Sequence, residues 1–427
     1  MKNLLSCLAF LTQALLGTPT ESREWVSTTG SKVTGSAVAL DRGTVQIKLT
    51  DRTIAVPLDK LSQADRKFLT DHFGESSNGT KPAISGGSGE LIAAGLGQKA
   101  GEVLGPIKAG EGSTYFLYIP KSLRKGRLAP LLHFNGSGGG SANSVKKHIE
   151  GAELNGWIVA ASVESKNGPL HPIGNHAHAK RCVNHLVGTL PVDPKRVYFT
   201  GGSGGGAMTF YNSAHMKGAG GMPHIGYIPS EANVTSGNFF VISGTRDYNR
   251  YTSANAVRIL GKDAIHRFFP GAHEEGPEWL CVEGMIWLNG KFLAKNKRSS
   301  AYVEEALDYE AAMIDWLRKL STSASHRAYY WCVFLKEDYG VSGSNAAAIE
   351  TLAAPLRSKP ECVGYAEGIE AVSDFSKRYY SEVAKGSRFA HSTPDIEKAA
   401  EKLSAGFTGV PMIEEIAEQL GQKTCAQ

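Results

Sequence analysis

One stretch constrains this chain more than any other. Val197-Tyr198-Phe199-Thr200-Gly201-Gly202-Ser203-Gly204-Gly205-Gly206-Ala207-Met208 is an apolar, β-prone run that passes through glycines around a single serine into helix formers. A serine lifted out of a strand-to-helix turn sits on strained backbone that a substrate must approach closely, so its neighbours must be nearly free of Cβ atoms. The pattern therefore reads as a nucleophile elbow centred on Ser203. With 49 glycines in the chain, other Gly/Ser clusters occur, at Ser85 to Gly89 and Gly136 to Ser141. Only the cluster at Ser203 follows a β-branched and aromatic run and leads into a helical stretch.

At 427 residues the chain has length for two to three domains and a substantial core. Its net charge of +5 is spread without a Lys/Arg block, which gives nucleic-acid binding no support. Met1 and Lys2 lead into the apolar Leu4 to Leu16, too short to span a bilayer, and then into the small or polar Gly17 to Ser22. Residues 1–21 read as a signal peptide, so the mature protein is expected to be secreted or periplasmic. No later apolar run is long enough for a membrane span. Cleavage removes Cys7 and leaves an odd set, Cys182, Cys281, Cys332, Cys362 and Cys425, for which no specific bridge is expected.

In chain order, Val33 to Leu40, Thr44 to Leu49 and Thr53 to Val56 alternate as short strands, and Gln63 to Phe73 has helical spacing. Here Arg23-Glu24-Trp25, the Ser31-Lys32 turn and Val56-Pro57-Leu58-Asp59-Lys60-Leu61-Ser62-Gln63-Ala64-Asp65 resemble the Sla1 homology domain 1 (SHD1), an SH3-like module. The resemblance covers residues 22–73 and implies a small β-barrel with a peptide or surface ligand, or else a spacer. Residues 74–90, rich in Gly, Ser and Asn, read as a flexible linker. Beyond it, strand candidates at Tyr115 to Pro120, Leu131 to Asn135, Trp157 to Val163, Ile225 to Pro229, Phe239 to Ser243 and Ile265 to Phe269 alternate with helical stretches. That alternation predicts an α/β fold, a doubly wound and mainly parallel sheet over residues 91–320. Residues 321–427 read as a helical C-terminal extension of no assigned role, with Tyr329 to Leu335 as a strand candidate within it.

A serine hydroxyl needs a base to take its proton, and the base needs a carboxylate to fix its tautomer. His273, in Pro270-Gly271-Ala272-His273-Glu274, follows the last strand, and Asp247, in Ser243-Gly244-Thr245-Arg246-Asp247, follows the strand before it. Glu231 is the rival acid. Glu274 and Glu275 read as solvated. The order Ser, Asp, His is that of the α/β-hydrolases. With His133-Phe134-Asn135-Gly136-Ser137-Gly138-Gly139-Gly140 added, residues 91–320 resemble an α/β-hydrolase, nearest the secreted esterase and polyester-depolymerase branch.

The resemblance implies a serine esterase: Ser203 attacks an ester carbonyl, His273 takes the proton and Asp247 orients the imidazole. The oxyanion then rests on the Gly204 amide and one from Gly136 or Ser137, the alternatives arising because Asn135 and Ser137 interrupt the usual His-Gly-Gly run. Since the base must be neutral, activity is expected to rise through roughly pH 6 to 7. Ser230 to Asn238 cannot hold a lid, so the cleft is expected to be open and to suit a bulky or polymer-attached ester. The rival readings are a serine peptidase and a binding protein on a silent hydrolase scaffold. His178, Cys182 and His185 share a helix face at a spacing that zinc could use. A packed cysteine between edge histidines is the plainer reading, and neither a metal nor another cofactor is expected.

Overall fold

The computed structural model describes residues 20–41, 44–72, 89–90, 93, 99–169, 171–384 and 392–422. Residues 1–19 of the expected leader and most of the linker lie outside the described residues, and Thr20, inside the expected leader, is buried and exchanges hydrogen bonds with Ala37 at 2.9 Å. The chain divides into two compact units, residues 1–84 and 85–427, so the helical tail belongs to the same body as the large sheet.

In the first unit, β1 (Arg23–Val26), β2 (Lys32–Asp41), β3 (Thr44–Lys48) and β4 (Thr53–Pro57) form an antiparallel meander in that order, followed by α1 (Gln63–His72). One isolated bridge, Ser27 to Leu61, joins the end of β1 to the approach to α1. Beyond it the described residues pair as a four-stranded sheet where a closed barrel was expected. The residues that carried the resemblance hold this unit together. Asp65 accepts from Arg23 at 2.9 Å, from the Val26 amide at 2.8 Å and from Ser62 at 2.9 Å, while the Ser62 hydroxyl caps the Asp65 amide. The Trp25 indole donates to the Gly35 carbonyl above a core of Val45, Ile47, Leu61 and Leu69.

The second unit is built on a sheet of order β12-β11-β10-β9-β7-β8-β6-β5. Its strands are β5 (Val103–Gly110), β6 (Ser113–Tyr118), β7 (Ala129–Asn135), β8 (Ile158–Ser162), β9 (Val192–Gly202), β10 (Gly220–His224), β11 (Asn238–Gly244) and β12 (Ala264–Phe269). β5 and β6 pair antiparallel at one edge, and β7 through β12 run parallel. This is an α/β-hydrolase-like sheet. β7 and β8 are buried along their whole length, which explains why β8 reads as an apolar run.

The helices are α2 (Ala142–Lys146), α3 (Ile149–Asn155), α4 (Ile173–Thr189), α5 (Gly204–His215), α6 (Arg250–Leu260), α7 (Glu278–Asn296), α8 (Val303–Ser323), α9 (Ser325–Glu337), α10 (Gly343–Arg357), α11 (Pro360–Phe375), α12 (Ser381–Ala384), α13 (Pro394–Gly406) and α14 (Ile413–Leu420). Phe210 of α5 and Val257 of α6 pack with Phe239 and Val241 on one face. A larger core of Leu132, Val159, Tyr198, Phe240, Met285, Trp287, Met313 and Trp331 fills the other face. The tail adds a third cluster in which Ile369, Tyr380, Ile413, Ile416 and Leu420 pack on Tyr251 and Phe268. None of the described helices is long and apolar enough to cross a membrane.

Two expectations are corrected. The strand anticipated at Ile225 to Pro229 lies five residues earlier, at Gly220–His224, with Ile225 already in a bend at φ 44°. Gly-Gly-Met-Pro looks like a breaker, but the pairing leaves no room for side chains: a Cβ on Gly220 would stand 1.8 Å from the Asn238 carbonyl oxygen. The strand anticipated at Tyr329 to Leu335 is part of α9, because an aromatic run buried on a helix has the same composition as a buried strand.

Candidate active site

β9 delivers Ser203 directly into α5 on backbone at φ 56° and ψ −116°, a region that a non-glycine residue enters only when its surroundings hold it there. The Ser203 amide donates to the His224 carbonyl at 3.1 Å. The glycines are dictated by a neighbouring backbone rather than by flexibility. Ideal Cβ atoms on Gly201 and Gly205 would lie 1.9 and 1.8 Å from the Asn135 carbonyl oxygen at the end of β7. The elbow is thus wedged against the strand that leads into the Gly136 loop.

Beyond the ends of β11 and β12 the two following loops remain zipped together. Thr245 donates its amide to the Phe269 carbonyl at 3.0 Å, and Arg246 donates to Gly271 at 2.9 Å. This ladder brings the Asp247 Oδ1 to 2.7 Å from His273 Nδ1, and His273 Nε2 to 3.0 Å from Ser203 Oγ. Asp247 is fully buried and the imidazole 27% exposed, so the chain of three groups runs from the interior to the surface. The Asp247 Oδ1 also accepts from the Asn249 amide at 3.0 Å, while its Oδ2 is buried with no hydrogen-bond partner among the described residues. Burial pushes the Asp247 carboxyl above its usual range, opposed by the hydrogen bonds from His273 and Asn249. Glu231, the rival acid, is exposed and does not appear among the partners of His273.

No protein-family model matches this chain, and no curated protein does. Several solved structures are similar to part of this chain at low identity. A thermostable esterase is 16% identical with a TM-score of 0.36, over 46% of this chain and 63% of its own. This chain thus spans less than two thirds of that esterase. A lidless α/β serine hydrolase from Xanthomonas campestris is 14% identical with a TM-score of 0.34, over 46% of this chain and 95% of its own. An esterase from the fungus Rhizomucor miehei is 14% identical with a TM-score of 0.38, over 46% of this chain and 83% of its own. The functional reading rests on the geometry of this site.

Opposite Ser203, the loop after β7 folds back through a hydrogen bond from the Gly139 amide to the Gly136 carbonyl, and the Asn167 amide donates to the Ser137 carbonyl at 2.7 Å. Gly204 opens α5, where the first amides have no intrahelical acceptor. Asn135 has a part that its place in the motif did not suggest. Its buried Oδ1 accepts from Ser165 at 3.4 Å and from Asn212 of α5 at 3.3 Å, so it ties β7 to the elbow helix. Glu275 lies against Gly202 and pairs with Lys147 at 3.3 Å, while Glu274 remains exposed.

The acid loop is held by residues that sequence reasoning did not single out. Thr245 Oγ1 accepts from the Gly271 amide at 3.3 Å and donates to Gln419 Oε1 of α14. The fully buried Arg250 donates to the Thr245 carbonyl and, at 2.7 Å, to the Gln422 carbonyl. Tyr380 donates to the Leu420 carbonyl, fixing the far side of α14. No local signal marks the pairs Thr245–Gln419 and Arg250–Gln422, because their members are 174 and 172 positions apart.

The His178, Cys182 and His185 face is committed elsewhere. His178 Nδ1 lies 2.9 Å from the Ser113 hydroxyl, His185 Nδ1 lies 2.9 Å from the Tyr115 hydroxyl, and Cys182 faces the Thr114 carbonyl. Among the described residues no cluster of His, Cys, Asp and Glu could hold a metal ion. Cys182, Cys281, Cys332 and Cys362 are all buried thiols, and burial pushes the Cys182 thiol up to about 11.

Proposed function

We propose that the chain is a serine hydrolase of carboxylic esters in which Ser203 is the nucleophile, His273 the general base and Asp247 the group that fixes the imidazole. One observation carries this reading: the unbroken relay from Asp247 Oδ1 to His273 Nδ1 at 2.7 Å and from His273 Nε2 to Ser203 Oγ at 3.0 Å. With Nδ1–H directed at the carboxylate, Nε2 presents its lone pair to the serine. Attack on the carbonyl moves the serine proton to Nε2 and charge to the carbonyl oxygen. The Gly204 amide, at the positive end of α5, and an amide of Gly136 or Ser137 stabilise that charge, each donor being worth about 3 kcal/mol in the transition state.

Only residues 225–237 join β10 to β11, and they contain no helix to serve as a lid, which favours a bulky or polymer-attached ester. On this reading the first 21 residues direct export, and the N-terminal unit binds a peptide or a surface that bears the substrate. The test is labelling with a fluorophosphonate probe. We expect stoichiometric modification at Ser203, lost in Ser203→Ala, and turnover of esters but not of peptides in a matched panel. An unlabelled Ser203 would sink the hydrolase reading, and peptide turnover would replace the esterase by a peptidase.

A further inference from the structure

A second hydroxyl reaches the base. Tyr248, next in sequence to Asp247, places its phenolic oxygen 2.7 Å from His273 Nε2, nearer than Ser203. Its ring stacks on the imidazole with centroids 4.1 Å apart and planes 21° apart. The side chain is half-buried, and the backbone on either side is pinned. Asp247 is held in the interior, and Asn249 donates from Nδ2 to the Ile225 carbonyl at 2.8 Å. Tyr248 is therefore held over the imidazole by its neighbours as well as by the stack.

A neutral imidazole whose Nδ1–H faces a carboxylate has one lone pair left, at Nε2. Two hydroxyls flank it, and both cannot donate to it fully at once. The acylation step shows which one is displaced. The Ser203 Oγ–C bond forms, the carbonyl pair moves to oxygen, and the serine proton passes to Nε2. The carbonyl then re-forms, the bond from carbon to the alcohol oxygen breaks, and that oxygen's electron pair takes the Nε2 proton. The alcohol oxygen must stand within hydrogen-bond reach of Nε2, on the flank that Ser203 does not occupy.

That flank belongs to Tyr248. We infer that the Tyr248 hydroxyl marks the leaving-group site: it caps Nε2 in the free enzyme and, with ester bound, donates a hydrogen bond to the departing alcohol oxygen while keeping its own proton. The inference rests on the serine-hydrolase reading and adds to it a residue selective for esters of poorly leaving alcohols, such as the alkyl alcohols of an aliphatic polyester.

The decisive experiment varies the leaving group at a constant acyl group. Tyr248→Phe keeps the stack and removes the hydroxyl. Its kcat/KM for ethyl acetate should fall about tenfold, the worth of one good hydrogen bond, and for p-nitrophenyl acetate less than about twofold, because p-nitrophenolate departs without help. Fluorophosphonate labelling expels fluoride and needs no proton from the base, so its rate should not fall below wild type and reports an intact Ser203 and His273. Tyr248→Leu, which also removes the stack, should slow all three reactions. An equal loss on both esters with Tyr248→Phe, or a gain on both, overturns the leaving-group role and leaves the hydrolase reading standing. Failure of wild-type Ser203 to label overturns both.

Discussion

The serine turn and the acid loop stand at the two ends of one hydrogen-bonded relay and are held by opposite means. Ser203 is fixed by contacts that its own turn makes with the two flanking strands: Gly201 and Gly205 close on the Asn135 carbonyl of β7, and its amide is bound by His224 of β10. Asp247 is fixed from a distance, through Thr245 and Arg250, which reach Gln419 and Gln422 near the far end of the chain. A nucleophile that must sit on strained backbone needs rigid contacts formed by the turn itself. A buried carboxylate needs only the right direction for one oxygen, and any rigid wall can supply it. Such a wall can come from an extension packed against the domain, and here it does.

Asp247→Asn should have the largest effect on the acid side. Asparagine keeps an acceptor for Nδ1–H but no longer stabilises the imidazolium or enforces the tautomer, and kcat/KM should fall about 10³- to 10⁴-fold. Stability should move the other way. Burial has raised the folded-state carboxyl above its unfolded value, so the folded protein holds that proton more tightly and ionisation costs stability as pH rises through this interval. The gain in the Asn variant, on the order of 1 kcal/mol, should be complete above the folded-state value and vanish below the usual carboxylate range near pH 4. Thermal unfolding of both proteins at neutral pH and near pH 3.5 measures this, and a variant less stable than wild type at neutral pH contradicts the sign.

On the serine side, Gly205→Ala is the corresponding probe. The added methyl meets backbone at 1.8 Å, which cannot rotate away, so β7 and its loop must shift. A loss of about 1 to 3 kcal/mol of stability and about 10² in kcat/KM is expected, the latter because the Gly136 loop moves with β7. Denaturant titration and ester kinetics together test it. An active and fully stable Gly205→Ala protein would mean that the elbow is not wedged as described.

The same contrast explains what could be read from the sequence. The elbow, β7, β11, β12 and the two loops that carry Asp247 and His273 were legible because each is marked by residues within a few positions of one another. β10 was misplaced because its glycines serve a partner strand and not a turn. α9 was mistaken for a strand because Tyr329, Trp331 and Phe334 are buried whichever backbone carries them. Tyr248 was passed over although it adjoins Asp247, since a tyrosine after an acid has no meaning until the histidine loop is placed over it. The tail stayed without a role for the same reason. Its apolar spacing specifies helices, and only the fold shows that α14 backs onto Thr245.

The smallest expected effect is the sharpest test of the comparison, because it asks whether the tail acts through the acid alone. Gln419→Leu removes the acceptor of the Thr245 hydroxyl and leaves the apolar residues of α14 in place. A loss of about three- to tenfold in kcat/KM is expected, equal to one buried hydrogen bond's share of loop order. The same substitution in Asp247→Asn should cost less than about twofold further, because the asparagine that remains brings no charge to be misplaced. The fluorophosphonate labelling of that background should likewise be indifferent to residue 419. Multiplying effects, with Gln419→Leu costing as much in the Asn background as in wild type, would show that α14 reaches the serine or the sheet by another route. The division between a locally held nucleophile and a remotely held acid would then fail.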